Sequence, residues 1–524
     1  MQAPKKLPFF FSSTLFLFGM YYYCVRVVGW SLEFTPGDYG DSRFINYVLE
    51  HGVKWLKGIE PDFWRANFMY PLENNIALSD CMAGTLPIYA LFRFLNLDTE
   101  TSFQMWWISC SALNYICADW AFRKLNLSPY WSALGAFVFA FGINNLNQFM
   151  HLQMNCKFFI PLAIACLFLF LNSGKVKHFV LFMLSFIFQF YSNAYMGIFL
   201  ALFSLLFAIL YLSVNSRFVQ FTSRLSPKKY IYISLTLLVS LGSVLLLAIP
   251  YYKMNKSLPL NYDYISYNLP EFWSYLLPHD NVIAWRFLTE SPIKVGSLWY
   301  IHNFFPGLFV YAGLILSFFY TLYWLIKIRK GIPTPLILFL VCSVFLLLFS
   351  RTSDKHSLFS YLQPLWGFSH MRLPGRFMIV LVFVMIWASL WFLNSIHMKN
   401  NFWLAAFLVP LVILDNSFEI RKGTLLTSAQ NRIYRTEVFK ELIKQSNTAN
   451  NKIVAVINTK NQDELFQNDV MLATQQLGLY TFNGYSSTCY DELCYAFHDP
   501  KHLKLNQWMQ RHYMDTSKIT FILY

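Results

Sequence analysis

Charge is scarce in this chain: Asp, Glu, Lys and Arg together make up 13% of 524 residues, and 27 acidic residues face 41 basic ones. Soluble domains carry about 25% charged residues. With 56% hydrophobic and 19% aromatic residues and a positive mean hydropathy, the chain holds more apolar surface than a water-soluble globule can hide, so it needs lipid as solvent. Other absences narrow the chemistry. No D-x-D, G-x-x-x-x-G-K-[ST], G-x-G-x-x-G or H-E-x-x-H occurs, so a nucleotide-sugar, ATP or zinc-hydrolase mechanism has no anchor. Basic residues form short tufts between apolar runs, with no stacking aromatics interleaved along a groove, which argues against a nucleic-acid partner. Neither a low-complexity linker nor a repeat of the inverted-repeat transporter kind is visible. Of nine cysteines, seven lie singly in or beside apolar runs; only Cys489 and Cys494, in a polar tail, are placed to form a disulfide.

What is present is a series of apolar runs at 7–29, 103–121, 130–147, 158–172, 178–193, 195–214, 230–250, 304–327, 334–350, 375–396 and 401–417, predicting about eleven transmembrane helices. The first follows two lysines, is too long for a signal-peptide core and lacks a small-residue cleavage site, so it is expected to be retained. The tufts Lys5/Lys6, Arg123/Lys124, Lys175/Lys177, Arg217/Arg224/Lys228/Lys229, Lys327/Arg329/Lys330 and Lys399 fall on alternate connections that carry no acid, which assigns those connections to the cytoplasm. Gly84 to Leu97 is apolar too, but counting it as a span would place every later tuft outside. It is therefore expected to lie in the interface, with Arg93 at the headgroups. The long polar segments 30–102, 251–303, 351–374 and 418–524 then share one extracytoplasmic face. The tail, with a helix expected at Thr436–Gln445, a strand at Lys452–Asn458 and a turn at Asn483–Ser487, reads as a small α/β domain beyond a transmembrane domain at 1–417.

The outer loops hold the candidate chemistry. In Gly37-Asp38-Tyr39-Gly40-Asp41 two carboxylates stand where the first span ends, and Phe44, Tyr47/Val48, His51 and Trp55 repeat at helical spacing from about Ser42. Asp41 can be a helix N-cap, or a carboxylate that accepts a proton or coordinates a cation; Asp38, with no cap to make, can be a turn residue or a second functional acid. Tyr70-Pro71 through Asp80 is Pro-, Asn- and aromatic-rich, which suits a sugar site or an interfacial belt. His151 sits among amides at 144–157 as a packed residue or a donor to phosphate, and Tyr191–Tyr195 reads as a plain helix hairpin. Arg351, His370, Arg372 and Arg376 line the entry to a span, where guanidinium binds phosphate oxygens or ordinary headgroups. His279, Asp280 and His302 lack metal-ligand spacing.

Taken in order, Gly37–Asp41, Tyr70-Pro71 to Asp80, His151-Leu152-Gln153 with Pro161, Met371–Arg376 and Asn483–Ser486 give the chain a resemblance. It resembles the GT-C superfamily of polyprenyl-phosphate-sugar-dependent glycosyltransferases, in particular the bacterial YfhO-like multipass proteins. The resemblance implies an α-helical polytopic enzyme of the bacterial inner membrane with interfacial helices in its first outer loop. It implies a polyprenyl-phosphate-linked sugar as donor, a glycan, lipid or polymer as acceptor and membrane lipids as surroundings. It further implies Asp41 as catalytic base with Asp38 as runner-up, and Arg372, Arg376, His151, Arg351 and His370 as the phosphate-binding set. No required cofactor or metal ligand follows, and a divalent cation stays open. The sequence departs from the protein-mannosylating branch, whose first outer loop carries an adjacent Asp-Glu pair, so the sugar and acceptor do not carry over. A transporter or flippase of lipid-linked saccharide and a non-catalytic envelope-polysaccharide assembly protein are the alternatives.

Overall fold

The computed structural model describes residues 6–256, 260–289, 302–328, 331–352, 354–395, 401–420, 426–446, 451–458, 465–486 and 503–524. A helix stands at each of the eleven apolar runs: α1 (Leu7–Val28), α4 (Thr99–Lys124), α5 (Pro129–Phe141), α6 (Phe159–Ser173), α7 (Val176–Ser192), α8 (Ala194–Ser213), α9 (Pro227–Asn255), α10 (Leu308–Tyr323), α11 (Thr334–Phe349), α12 (Met378–Ser395) and α13 (Asn401–Asp415). Local chemistry sets their ends. Asp98 caps α4 by accepting from the Glu100 and Thr101 N–H groups, proline opens α5 and α9, and Gly174 closes α6 at a φ of +60°. Among the described residues six segments are long and apolar enough to cross a membrane, Leu7–Val28, Ala194–Ser213 and Pro227–Met254 included. Helix α5, at 13 residues, spans only about 20 Å at 1.5 Å per residue. It stops at Gly142 because the chain there turns into 3-10 segments carrying the amide-rich stretch. In that stretch Asn145 donates to the carbonyls of Phe139, Ala140 and Gly142, and the buried Lys157 ammonium donates to Phe139 O at 2.8 Å, so these two side chains satisfy the open end of α5.

The loop after α1 holds two further helices. Helix α2 (Asp41–Leu56) begins one residue before the expected start, and α3 (Leu86–Phe94) falls inside the run assigned to the interface. Neither is a plain surface helix. Every residue of α2 from Ser42 to Val53 is buried, because the tail covers the face that amphipathicity alone would leave to headgroups. Arg93 does not sit free for lipid phosphates; it pairs with Glu50 of α2 at 2.7 Å.

The tail is built from β2 (Leu426–Ser428), α14 (Ala429–Gln445), β3 (Ile453–Ile457), α15 (Phe466–Leu477), β4 (Tyr480–Thr481), α16 (Leu503–Arg511) and β5 (Ile519–Leu523). Strands β4, β3 and β5 form a parallel sheet with β3 in the centre. Helix α14 starts seven residues ahead of the expected Thr436, since Ser428 caps it by accepting from the Asn431 N–H. Asn483 acts as a surrogate strand residue: its side chain accepts from Val456 N and donates to Val456 O. Cys489 and Cys494 lie outside the described residues.

Tail and first loop are interlocked. Strand β1 (Phe34–Pro36) pairs antiparallel with β2, and Thr481 exchanges backbone hydrogen bonds with Asn67 and Tyr70. Two buried arginines complete the junction: Arg43 of α2 meets Asp469 of α15, and Arg432 of α14 meets Glu100 of α4 at 3.2 Å. Segments 251–303, 351–374 and the tail are tied as well, by Arg351–Glu271 at 2.6 Å and by Glu419 N to Asn281 O at 2.7 Å.

Candidate active site

The acidic motif is held from three sides. Gly37 sits at a φ of +91°, a conformation other residues avoid, and a Cβ there would fall 2.5 Å from Ser42 Cβ. Asn468 of α15 donates to the Tyr39 and Gly40 carbonyls at 3.2 and 3.1 Å, and Arg432 donates to Asp38 O at 2.7 Å. The two carboxylates therefore part company. Asp38 accepts from the Ser42 N–H at 3.2 Å, which makes it the group that satisfies the start of α2. Asp41 makes no cap at all: the N-cap position is Gly40, and the Asp41 side chain points the other way. This reverses the capping expectations, and the reason is that the chain enters α2 through Gly40, one residue earlier than the hydrophobic period indicates.

Asp41 Oδ1 accepts from the Tyr485 hydroxyl at 2.8 Å, and Oδ2 lies 2.7 Å from His151 Nδ1. Tyr485 reaches it across Gly40, where a Cβ would stand 2.8 Å from the Tyr485 oxygen. Burial pushes the Asp41 carboxyl up, but His151, Tyr485 and Arg372 together outweigh it and bring it down to about 2. Asp41 is thus a carboxylate at any physiological pH. Asp38 moves the other way, raised by burial and by the neighbouring Asp41 charge. The Tyr485 phenol is raised by its own burial and by Asp41, so it acts as a donor.

Asp41 opens onto a cavity of about 370 Å³. Its polar wall is Asp41, Asp80, Gln153, His370, Arg372 and Arg376; its apolar wall is built from Phe190 of α7, Ile198 of α8 and Val244 and Leu247 of α9. Arg376 is 9% exposed and lies over the Tyr195 ring at 5.5 Å. Among the described residues no carboxylate forms an ion pair with it, although Asp80 and Asp41 both act on it through space. The Tyr195 hydroxyl accepts from Arg372 N at 3.0 Å and donates to His370 O at 3.2 Å, so the start of α8 fixes the arginine loop. The hairpin at Tyr191–Tyr195 is therefore also a cavity wall.

Asp80 is the residue that sequence reasoning passed over as a site. It was legible only as the end of an Asn- and aromatic-rich connection; the fold carries it to the first turn of α8, where it accepts from Ala194 N at 3.0 Å and Asn193 Nδ2 at 2.7 Å. Burial raises its carboxyl to about 6, with the Ala194 N–H and Arg376 acting in the opposite sense. Tyr485 was noted only as part of a turn in the tail. Of the expected phosphate-binding set, Arg372, Arg376 and His370 line the cavity, and His151 stands behind it against Asp41. Arg351 is not among the lining residues; its guanidinium is engaged by Glu271. His302 is buried between Ser274 Oγ and Tyr267 O, and burial lowers it to about 4. Among the described residues no group of three or more His, Cys, Asp or Glu is placed to hold a metal ion.

Solved structures similar to this one include the following two. The first is the oligosaccharyltransferase of Archaeoglobus fulgidus in its apo form, with a TM-score of 0.49 and 11% identity over 92% of this chain and 65% of that one. The second is the arabinofuranosyltransferase AftD from Mycobacteria, with a TM-score of 0.43 and 10% identity over 88% of this chain and 30% of that one. The chain thus spans less than two thirds of the length of either. No protein-family model and no curated protein sequence matches it.

Proposed function

We propose that the protein is a membrane glycosyltransferase that moves a sugar from a polyprenyl-phosphate carrier to an extracytoplasmic cell-envelope acceptor. The observation that carries this reading is the division of one cavity into a polar wall with Asp41, Arg372 and Arg376 and an apolar wall from α7, α8 and α9. An amphiphile with an anionic head and a hydrocarbon tail fits such a space: guanidinium meets phosphate oxygens, and the prenyl units replace lipid against the apolar helices. An acceptor hydroxyl placed beside Asp41 attacks the anomeric carbon. The bond from that carbon to the carrier phosphate breaks with its electron pair left on phosphate, and the hydroxyl proton passes to Asp41. Arg372 and Arg376 offset the charge that develops on the leaving oxygen. Tyr485 and His151 position the carboxylate.

The test is transfer of labelled sugar from polyprenyl phosphate in membranes containing the Asp41→Asn or Asp38→Asn variant, alongside binding of farnesyl phosphate to Arg376→Gln. Asp41→Asn is expected to lower transfer by about 10²- to 10⁴-fold while donor binding persists. Arg376→Gln is expected to weaken farnesyl phosphate. Full transfer in both aspartate variants overturns the base assignment, and unchanged farnesyl phosphate binding removes the phosphate from this cavity.

A further inference from the structure

Asp80 shares the cavity with Asp41, Arg372 and Arg376, yet the transfer written above gives it nothing to do. The groups that face it are few. Cys81 adjoins it in the chain, Tyr251 comes from α9, Asn193 and Tyr195 come from the start of α8, and Arg376 comes from the segment leading into α12. Across the cavity stand Asp41, Arg372 and His370. Thiol and phenols are neutral near pH 7, so Arg376 is the cation that acts on Asp80 most directly, and Arg376 is itself nine-tenths buried and aimed at the same space.

The two carboxylates of the cavity are thus pushed apart by their surroundings. Asp41, gripped by Tyr485 and His151, is held ionised at about 2; burial raises Asp80 to about 6 against the opposing pull of the Ala194 N–H and Arg376. Carboxyl groups separated in this way divide the roles of base and acid between them. The proposed transfer has a place for the acid. A carrier phosphodiester bears one negative charge. Once its bond to the sugar breaks, the product monoester would bear two, in a cavity whose two arginines already face two carboxylates. If Asp80 is protonated, its proton can pass to the departing oxygen, so the monoester leaves with one charge and Asp80 becomes a carboxylate beside Arg376. A phosphate monoester has its second pKa near 6, so this proton moves between groups of nearly equal affinity. The acceptor's proton rests on Asp41, and both carboxyls return to their starting state by exchange with water.

Building on the glycosyltransferase reading, we infer that Asp80 is the general acid of the reaction, protonating the leaving carrier phosphate at the arginine wall. Asp80 is then a second catalytic residue, facing the leaving group as Asp41 faces the acceptor.

The experiment uses the full chain in nanodiscs and two readouts. The first is binding of farnesyl methyl phosphate, a diester with no titration of its own between pH 5 and pH 8, followed by fluorescence quenching of Trp366 in the cavity wall. An anion next to a neutral Asp80 is tolerated and one next to an ionised Asp80 is repelled. Affinity in the parent should therefore fall about tenfold as pH rises through the Asp80 titration, a loss equivalent to about one pKa unit of coupling. Asp80→Asn should bind the diester with no such slope, and Asp80→Glu should restore it. The second readout is sugar transfer, where Asp80→Asn should lose about 10²-fold in kcat with little change in KM, and Asp80→Glu should recover part of it. A slope that persists in Asp80→Asn assigns the titration to a histidine and overturns the proposal, as does a kcat within about threefold of the parent. If the diester fails to bind the parent at all, the phosphate cavity falls and this inference falls with it. If the diester binds and Asp41→Asn abolishes transfer while Asp80→Asn does neither of the things expected, only the acid assignment is wrong.

Discussion

Replacing Arg432 by Met should unlatch the tail from the loop between α1 and α4. The guanidinium is 1% exposed and donates to Glu100 at 3.2 Å, Thr427 Oγ1 at 2.6 Å and Asp38 O at 2.7 Å, and also to Ser42 Oγ. Methionine matches its length and supplies none of these donors. The Glu100 carboxylate would remain buried, held by the Thr35 hydroxyl at 2.6 Å and Asn46 Nδ2 at 3.2 Å but without its counter-charge. Breaking a buried pair from one side costs about 3–5 kcal/mol. For a cooperative unit the size of tail plus loop, each kcal/mol lowers the melting point by about 2–4 °C, so a fall on the order of 10 °C is expected. Intrinsic tryptophan fluorescence of the detergent-solubilised protein reads it, because Trp508 is buried in the tail. The double variant Glu100→Gln with Arg432→Met removes both charges and should melt above the sum of the two single losses, by about 2 kcal/mol of coupling. Two results would refute the reasoning: a single variant melting within about 2 °C of the parent, or a cycle additive to about 0.5 kcal/mol.

Two other outcomes are expected. Gly40→Ala places a methyl group 2.8 Å from the Tyr485 hydroxyl, so it should displace that ring from Asp41 and lower transfer by about tenfold, the loss of roughly one charge-assisted hydrogen bond; Tyr485→Phe should show the same loss and not add to it, whereas additive losses would separate the two positions. Reporter fusions after Lys177 and after Asn268 should report opposite sides of the membrane, and a cytoplasmic signal at Asn268 would overturn the shared outer face.

Much of the helical frame was legible in the residues themselves. Eleven apolar runs became helices because a stretch rich in Leu, Phe and Val can satisfy its backbone in lipid only by closing its own hydrogen bonds. The same holds for the helix after Asp41 and for β3. All of these are written in local period, spacing or charge. The role of each carboxylate was not. Whether Asp41 or Asp38 caps α2 turns on one residue of register at Gly40, which period alone leaves open. Tyr485 lies 444 positions from Asp41 and Arg432 lies 332 from Glu100, so no spacing rule links them. Asp80 acquires its environment from α8, α9 and Arg376, three segments distant in the chain. Lipid as solvent decides helices locally, residue by residue, whereas a carboxyl group's charge and task depend on which distant donors the tertiary fold brings within about 3 Å of it.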